Sequence, residues 1–148
     1  MKFKIVEEVK KVKPEDFGIT NYKFRPDGTL DVFEDVNLLG MLLDKLPFNF
    51  GKIEGDFLCS YNNLTSLKGA PNEIYGGFDC GNNNLKDLKY SPKIITSYFC
   101  CWYNKLESLN GLNLDGIFGR IYVKFNPDLK LTEKERHWMT LNPGKLIL

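Results

Sequence analysis

The chain has no apolar run approaching the roughly 18 residues that carry a helix across a bilayer, so no membrane-spanning helix is expected. It also lacks charge of either sign in excess: 20 basic and 19 acidic side chains leave a formal +1. No global field therefore draws it to nucleic acid or anionic lipid. Histidine is nearly missing, His137 being the only one, and no phosphate-binding loop, paired-histidine motif or nucleophile elbow occurs. Catalysis needs a nucleophile or metal with a base held beside it. Without a candidate set, the expectation is no enzyme, no cofactor and no metal. The N-terminal MKFKIVEEVKKVKPEDF alternates charge with apolar residues and has no secretory apolar core. The four cysteines fall at related places in the chain, unlike a secreted disulfide framework. Free thiols without a secretion signal suit a reducing cytosol.

What the chain does have is a period. FLCSYNNLTSL (57–67), FDCGNNNLKDL (78–88) and FCCWYNKLESL (99–109) align at a step of 21 residues. Phe57, Phe78 and Phe99 fall in one column, as do Cys59, Cys80 and Cys101, and Asn62, Asn83 and Asn104. Leu64, Leu85 and Leu106 form a fourth column, Leu67, Leu88 and Leu109 a fifth, and Ile53, Ile74 and Ile95 a sixth. The period runs outward with decay. Val36, Leu38, Leu43 and Leu46 fill the apolar columns of an earlier copy, with Met41 where asparagine is due; Ile121, Val123 and Asn126 follow at a step of 22. Phe-x-Cys puts two side chains on one face of a short strand. The chain then turns at asparagine and re-enters the core with Leu-x-x-Leu. The asparagine column is read as scaffold, bonding to the backbone of the turn and to its neighbours as asparagine ladders do. One short strand per copy, stacked in parallel register, is the expected result.

Phe57, Cys59, Asn62 and Leu64 occupy the places of the L-x-L-x-x-N-x-L consensus, so the chain resembles the leucine-rich repeats. The wording F-x-C-x-x-N-x-L-x-S-L-x-G-A-P resembles the short repeats of phage and bacterial proteins, and the likeness covers roughly residues 19–129. It implies a mostly β leucine-rich-repeat solenoid of about five rungs, each of 21–22 residues, with parallel strands. For function it implies interaction with a protein partner in a bacterial or phage-infected cytosol.

The ends read as caps, giving an N-terminal cap over 1–35, repeats over 36–129 and a C-terminal cap over 130–148. Residues 3–12 suit a short helix or a strand, with helix preferred because Phe3, Val6 and Val9 share one face. Tyr22–Phe24 and Leu30–Val32 flank Arg25-Pro26-Asp27-Gly28, a hairpin signal. Thr132 to Glu135 forms a capping box that opens a helix stopped at Asn142-Pro143-Gly144. His137 lies in that helix, and Trp138 is expected to pack over the last rung and hide its edge strand.

Inward Phe and Cys leave the alternating positions on the open side of the sheet, its concave face in a solenoid. The first three copies offer mostly small, polar or acidic residues there, including Asp35, Asp56 and Asp79. The last two offer Tyr98, Trp102, Tyr103, Tyr122 and Phe125, bordered by Arg120 and Lys124. Cys100 alternates with the inward Cys101 and is expected as an exposed thiol. Cys59, Cys80 and Cys101 read as core, since three ligands in a line do not make a zinc tetrahedron. Tyrosine, tryptophan and arginine are enriched at interface hot spots. The expected binding residues are therefore Tyr61, Tyr98, Trp102, Tyr103, Arg120, Tyr122 and Lys124, with a protein partner first. Carbohydrate stacked on the rings and a virion or scaffold role through self-association are the alternatives. Single-stranded nucleic acid is disfavoured by the aspartates. Against all of these stands the reading in which the aromatics cover one another and the C-terminal helix.

Overall fold

Phenylalanine and cysteine two residues apart share a face only where the chain is extended, and each copy of the repeat opens that way. The structure, a computed structural model, describes residues 11–148. Of the element expected over 3–12, residues 3–10 lie outside the described residues, and Lys11 and Val12 belong to neither helix nor strand. In chain order come β1 (Tyr22–Phe24), β2 (Leu30–Val32), β3 (Val36–Asn37), β4 (Phe50–Ile53), β5 (Phe57–Leu58) and β6 (Glu73–Ile74). They are followed by β7 (Phe78–Asp79), β8 (Ile94–Ile95), β9 (Phe99–Cys100), β10 (Ile121–Tyr122), α1 (Glu133–Leu141) and β11 (Leu146–Ile147).

These strands form two sheets, where one was expected. The Phe-x-Cys positions build a sheet ordered β11-β10-β9-β7-β5-β3, parallel throughout. Its register matches the period, with Phe57 opposite Phe78 and Phe78 opposite Phe99. The isoleucine column builds the second, ordered β1-β2-β4-β6-β8, with Ile53 opposite Ile74 and Ile74 opposite Ile95. All its pairs are parallel except β1 with β2. That pair is the hairpin expected around Arg25–Gly28, closed by the Arg25 amide on the Thr29 carbonyl at 2.8 Å. The fold is thus mostly β, with parallel strands in both sheets and one α-helix among the described residues.

The repeat's apolar columns form the core. The Phe, Cys, Leu and Ile columns are buried together in one cluster. Ring centroids of Phe57 and Phe78 lie 5.7 Å apart and those of Phe78 and Phe99 5.6 Å apart, so the phenylalanines make a continuous stack. The asparagines are nearly as buried, and each ties two copies together. Asn83 donates to the carbonyl of Cys80 in its own copy at 3.1 Å and to that of Cys59 in the preceding copy at 3.0 Å. Its Oδ1 accepts the preceding copy's Leu64 amide at 2.9 Å. Asn62, Asn104 and Asn126 repeat this pattern. The link to neighbours expected of an asparagine ladder runs through backbone, and the amide side chains bond to main chain.

One turn departs from the pattern. Gly69 and Gly111 take φ of +93° and +96°, where a glycine has no side-chain penalty; the same column holds Tyr90 at +65°, 60% exposed. A left-handed conformation costs an L-residue about 1–2 kcal/mol, part of which glycine's greater unfolded-state freedom cancels. Tyr90→Gly is expected to stabilise the chain by about 0.5–1 kcal/mol, read as a higher urea midpoint at constant slope.

The C-terminus differs from expectation in what covers the edge. The capping box forms, with the Glu135 amide on Thr132 Oγ1 at 3.2 Å and the Thr132 amide on Glu135 at 2.7 Å. However, the edge of β10 is closed by β11: the carbonyl of Lys145, just before it, and that of Ile147 accept the amides of Ile121 and Val123 at 2.8 and 2.9 Å. An added strand satisfies those amides directly, as an aromatic side chain does not. Trp138 is instead half-buried, its Nε1 donating to Asp115 at 2.7 Å beside the 109–115 turn.

Candidate functional site

Residues alternating with the buried Phe-x-Cys columns lie on the outer face of the six-stranded sheet, and backbone register sets their columns. Asp35, Asp56, Gly77, Tyr98 and Arg120 form one; Asn37, Leu58, Asp79, Cys100 and Tyr122 the next. Leu39, Ser60, Gly81, Trp102 and Lys124 follow, then Gly40, Tyr61, Asn82, Tyr103 and Phe125 at the turn.

Two glycines decide where the aromatics lie. A Cβ on Gly77 would overlap the ring of Tyr98, and a Cβ on Gly81 would overlap the indole of Trp102. Each ring therefore leans over the glycine of the preceding copy, and only glycine leaves it that space. Trp102 also meets Tyr122, with centroids 6.5 Å apart and planes at 49°. Tyr103 stacks on Phe125 at 4.3 Å with planes at 14°. Mutual contact leaves much of this surface free: Trp102 is 40% exposed, Tyr103 51% and Phe125 57%. Tyr98 and Tyr122 are half-buried, while Arg120 and Lys124 are exposed. The structure thus gathers Tyr98, Trp102 and Tyr122 on adjacent copies and sets Tyr103 and Phe125 at their margin. Tyr61, exposed at the turn, stands two copies from Tyr103 with Asn82 between.

Tyr61, Asn82, Tyr103 and Phe125 all have φ between +51° and +59°. Three bulky rings held in a left-handed turn are uncommon. Turn amides hold the chain there, including Tyr61 on the Gly81 carbonyl at 3.0 Å and Tyr103 on that of Lys124 at 3.1 Å. Aromatic exposure on this margin is thus retained against a conformational cost.

The aspartates have a structural task that sequence reading missed. Asp35 accepts the amide of Asp56 at 2.8 Å, Asp56 that of Gly77 at 2.7 Å, and Asp79 that of Gly81 at 2.9 Å. None of the three takes part in an ion pair among the described residues. Ser60 was also missed as a special position. It is 1% exposed, and its hydroxyl has no hydrogen-bond partner. The glycine floor had a usable signal, since Gly77 and Gly81 stand 21 residues before Tyr98 and Trp102.

Cys100 corrects one expectation. It lies outside the core cluster, as alternation requires, yet it is 5% exposed and is no surface thiol. Burial first, and then the negative charge of Asp79, push its thiol up to about 12. Burial likewise holds Cys59 and Cys80 well above the ordinary thiol range. Thiolate is the reactive form, so none of these three is an activated nucleophile. His137 is exposed on α1, as expected of a cap residue. Comparison of the chain with protein-family models, with curated proteins and with solved structures finds no match.

Proposed function

We propose that this chain is a short solenoid of leucine-rich-repeat type, about five rungs long, that works without catalysis as a protein-binding module. The observation that carries the reading is the cluster of Trp102, Tyr103 and Phe125, each at least 40% exposed on one side of one sheet. Contiguous exposed aromatic surface on a folded chain marks a contact site. Aromatic rings with few torsions are also favoured anchors at interfaces. Tyr98, Tyr122, Arg120 and Lys124 extend the patch, and Tyr61 stands apart at its N-terminal margin. The free thiols suit a reducing compartment such as a bacterial or phage-infected cytosol. The resemblance to short phage and bacterial repeats supports a role in engaging a host protein.

The test is the double variant Trp102→Ala/Tyr103→Ala, whose positions lie outside the core. A partner retained from host lysate by the wild type is expected to be lost by this variant, with circular dichroism and urea midpoint close to wild type. Retention of every specific partner by a folded variant would sink the proposal. Glycan-array binding that depends on Trp102, without a protein partner, would assign the face to carbohydrate instead.

A further inference from the structure

The aromatic face carries a second asymmetry, of charge. Asp35, Asp56 and Asp79 occupy its first three copies, while Arg120 and Lys124 lie in the last. The ion pairs among the described residues are Arg25–Asp31, Lys52–Glu54 and Lys86–Glu107, so no basic side chain neutralises the three aspartates. One oxygen of each accepts a backbone amide from this chain, and the Asp79 carboxylate also accepts a hydrogen bond from the Cys100 thiol. Asp35 and Asp56 stand opposite each other at the roughly 4.8 Å spacing of neighbouring strands and repel, and Asp79 lies one column over in the next copy; an incoming cation relieves that repulsion.

The aromatics give this charge a shape. Tyr98 leans over Gly77 toward the copy that holds Asp56, and Trp102 leans over Gly81 toward the copy that holds Ser60. Between the two columns lie Asp79 and Cys100, with Tyr122 beyond, its ring 6.5 Å from that of Trp102. Asp79 thus lies between the two glycines that Tyr98 and Trp102 overlie, with Cys100 between it and Tyr122 in its own column. The phenol of Tyr98 is held above its usual range by burial first, then by the charges of Asp56 and Asp79, so the carboxylates act on this ring. Ser60 contributes independently. Its side chain lies on the same face, opposite in direction to the inward Cys59, and its 1%-exposed hydroxyl is without a partner. A carboxylate between a tyrosine and a tryptophan ring, with an unpartnered hydroxyl on the same sheet face, is the chemistry that receives an ammonium or guanidinium group.

We infer that the slot around Asp79, walled by Tyr98 and Trp102, binds a lysine or arginine side chain presented by a basic segment of the protein partner. This rests on the proposed protein-binding role and supplies its chemistry. The Asp56 carboxylate adds attraction at the open end, and Arg120 and Lys124 beyond the rings repel a second cation and set the direction in which the segment lies.

The experiment uses the whole chain and three capped peptides: one lysine-rich, its arginine counterpart, and the same peptide with glutamine at every basic position. Binding is followed by fluorescence anisotropy and by the ¹H–¹⁵N signals of Tyr98 and the Trp102 indole. The lysine and arginine peptides are expected to shift those signals, and the glutamine peptide to leave them in place. Asp79→Asn keeps an oxygen for the Gly81 amide while removing the charge, and is expected to weaken the basic peptides about five- to tenfold. Added salt should weaken them as well. Equal binding of basic and glutamine peptides, unchanged affinity in Asp79→Asn, or no binding of either basic peptide at millimolar concentration would overturn the inference. A neutral oligosaccharide that alone moves the Trp102 signal would overturn it in favour of a sugar. If Trp102→Ala/Tyr103→Ala loses a protein partner that Asp79→Asn keeps, the binding module stands and its cationic specificity falls.

Discussion

Asn83→Ala is expected to destabilise the chain by about 2–4 kcal/mol, although the side chain removed is neither apolar nor charged. The buried Leu64 amide has Asn83 Oδ1 as its partner at 2.9 Å and would be left without an acceptor. An orphaned buried amide costs about 1–3 kcal/mol, and the volume vacated beside Cys59 and Cys80 adds to it. The carbonyls fare better. Cys59 still accepts from Asn62 at 3.0 Å and Cys80 from Asn104 at 3.0 Å, so each keeps one donor of two. This sharing limits the loss and keeps the total from reaching a full three-bond penalty. Asn83→Asp makes a contrasting test. It restores an acceptor for Leu64 but turns carboxylate oxygens toward two carbonyls. It should be the worse variant at neutral pH. Burial raises the folded carboxyl above its unfolded value, so the protonated form is favoured on folding. Its deficit relative to wild type therefore shrinks as pH falls through the carboxyl range. Urea titrations of both variants at neutral and mildly acidic pH check the ordering. Equal stability of Asn83→Ala and wild type would show that water takes over the Leu64 amide.

This scaffold was legible in the sequence because stacking demands identical side chains in identical places. Every column read as inward in the three central copies is buried. The hairpin at Arg25–Gly28 and the Thr132/Glu135 box were legible for a different reason: turn and cap chemistry is local, set by a few adjacent residues. What stayed hidden follows from the same logic. The second sheet rests on strands as short as Glu73–Ile74 and Ile94–Ile95, too brief for alternation to register, so its isoleucine column was legible as a repeating position but not as a second sheet. Strand β11 continues the inward column with Leu146, buried opposite Ile121, but α1 intervenes and the step of 21–22 residues is lost. For Cys100, alternation gave the direction of the side chain but not what would lie over it. The aromatic face was read as a gradient of composition. Its geometry depends on pairs of positions, Gly77 with Tyr98 and Gly81 with Trp102, which single columns read one at a time do not show.

Phe78→Ala should be costlier still, about 3–5 kcal/mol. The ring is fully buried between Phe57 and Phe99, with centroids 5.7 and 5.6 Å away. Collapse into the vacated space is opposed by the backbone on both sides. Phe78 donates to the Tyr98 carbonyl at 2.8 Å and Cys80 to that of Cys100 at 2.8 Å, while the amide of Phe57 holds the Gly77 carbonyl at 2.9 Å. Neighbouring strands cannot close the gap without lengthening these bonds, so most of the cavity persists and the cost sits near the top of the usual range. Phe78→Leu, which refills much of the volume, should cost about 1–1.5 kcal/mol. Denaturant titration is expected to show a lower midpoint at unchanged slope, because the surface exposed on unfolding is nearly the same. A lower slope would carry a different meaning. Each strand of this sheet pairs only with the strands one copy away, so a weakened middle can let the two ends unfold separately. Hydrogen exchange separates the cases: a single cooperative body loses protection equally at the amides of Leu38 and Val123, whereas uncoupled ends lose it unequally.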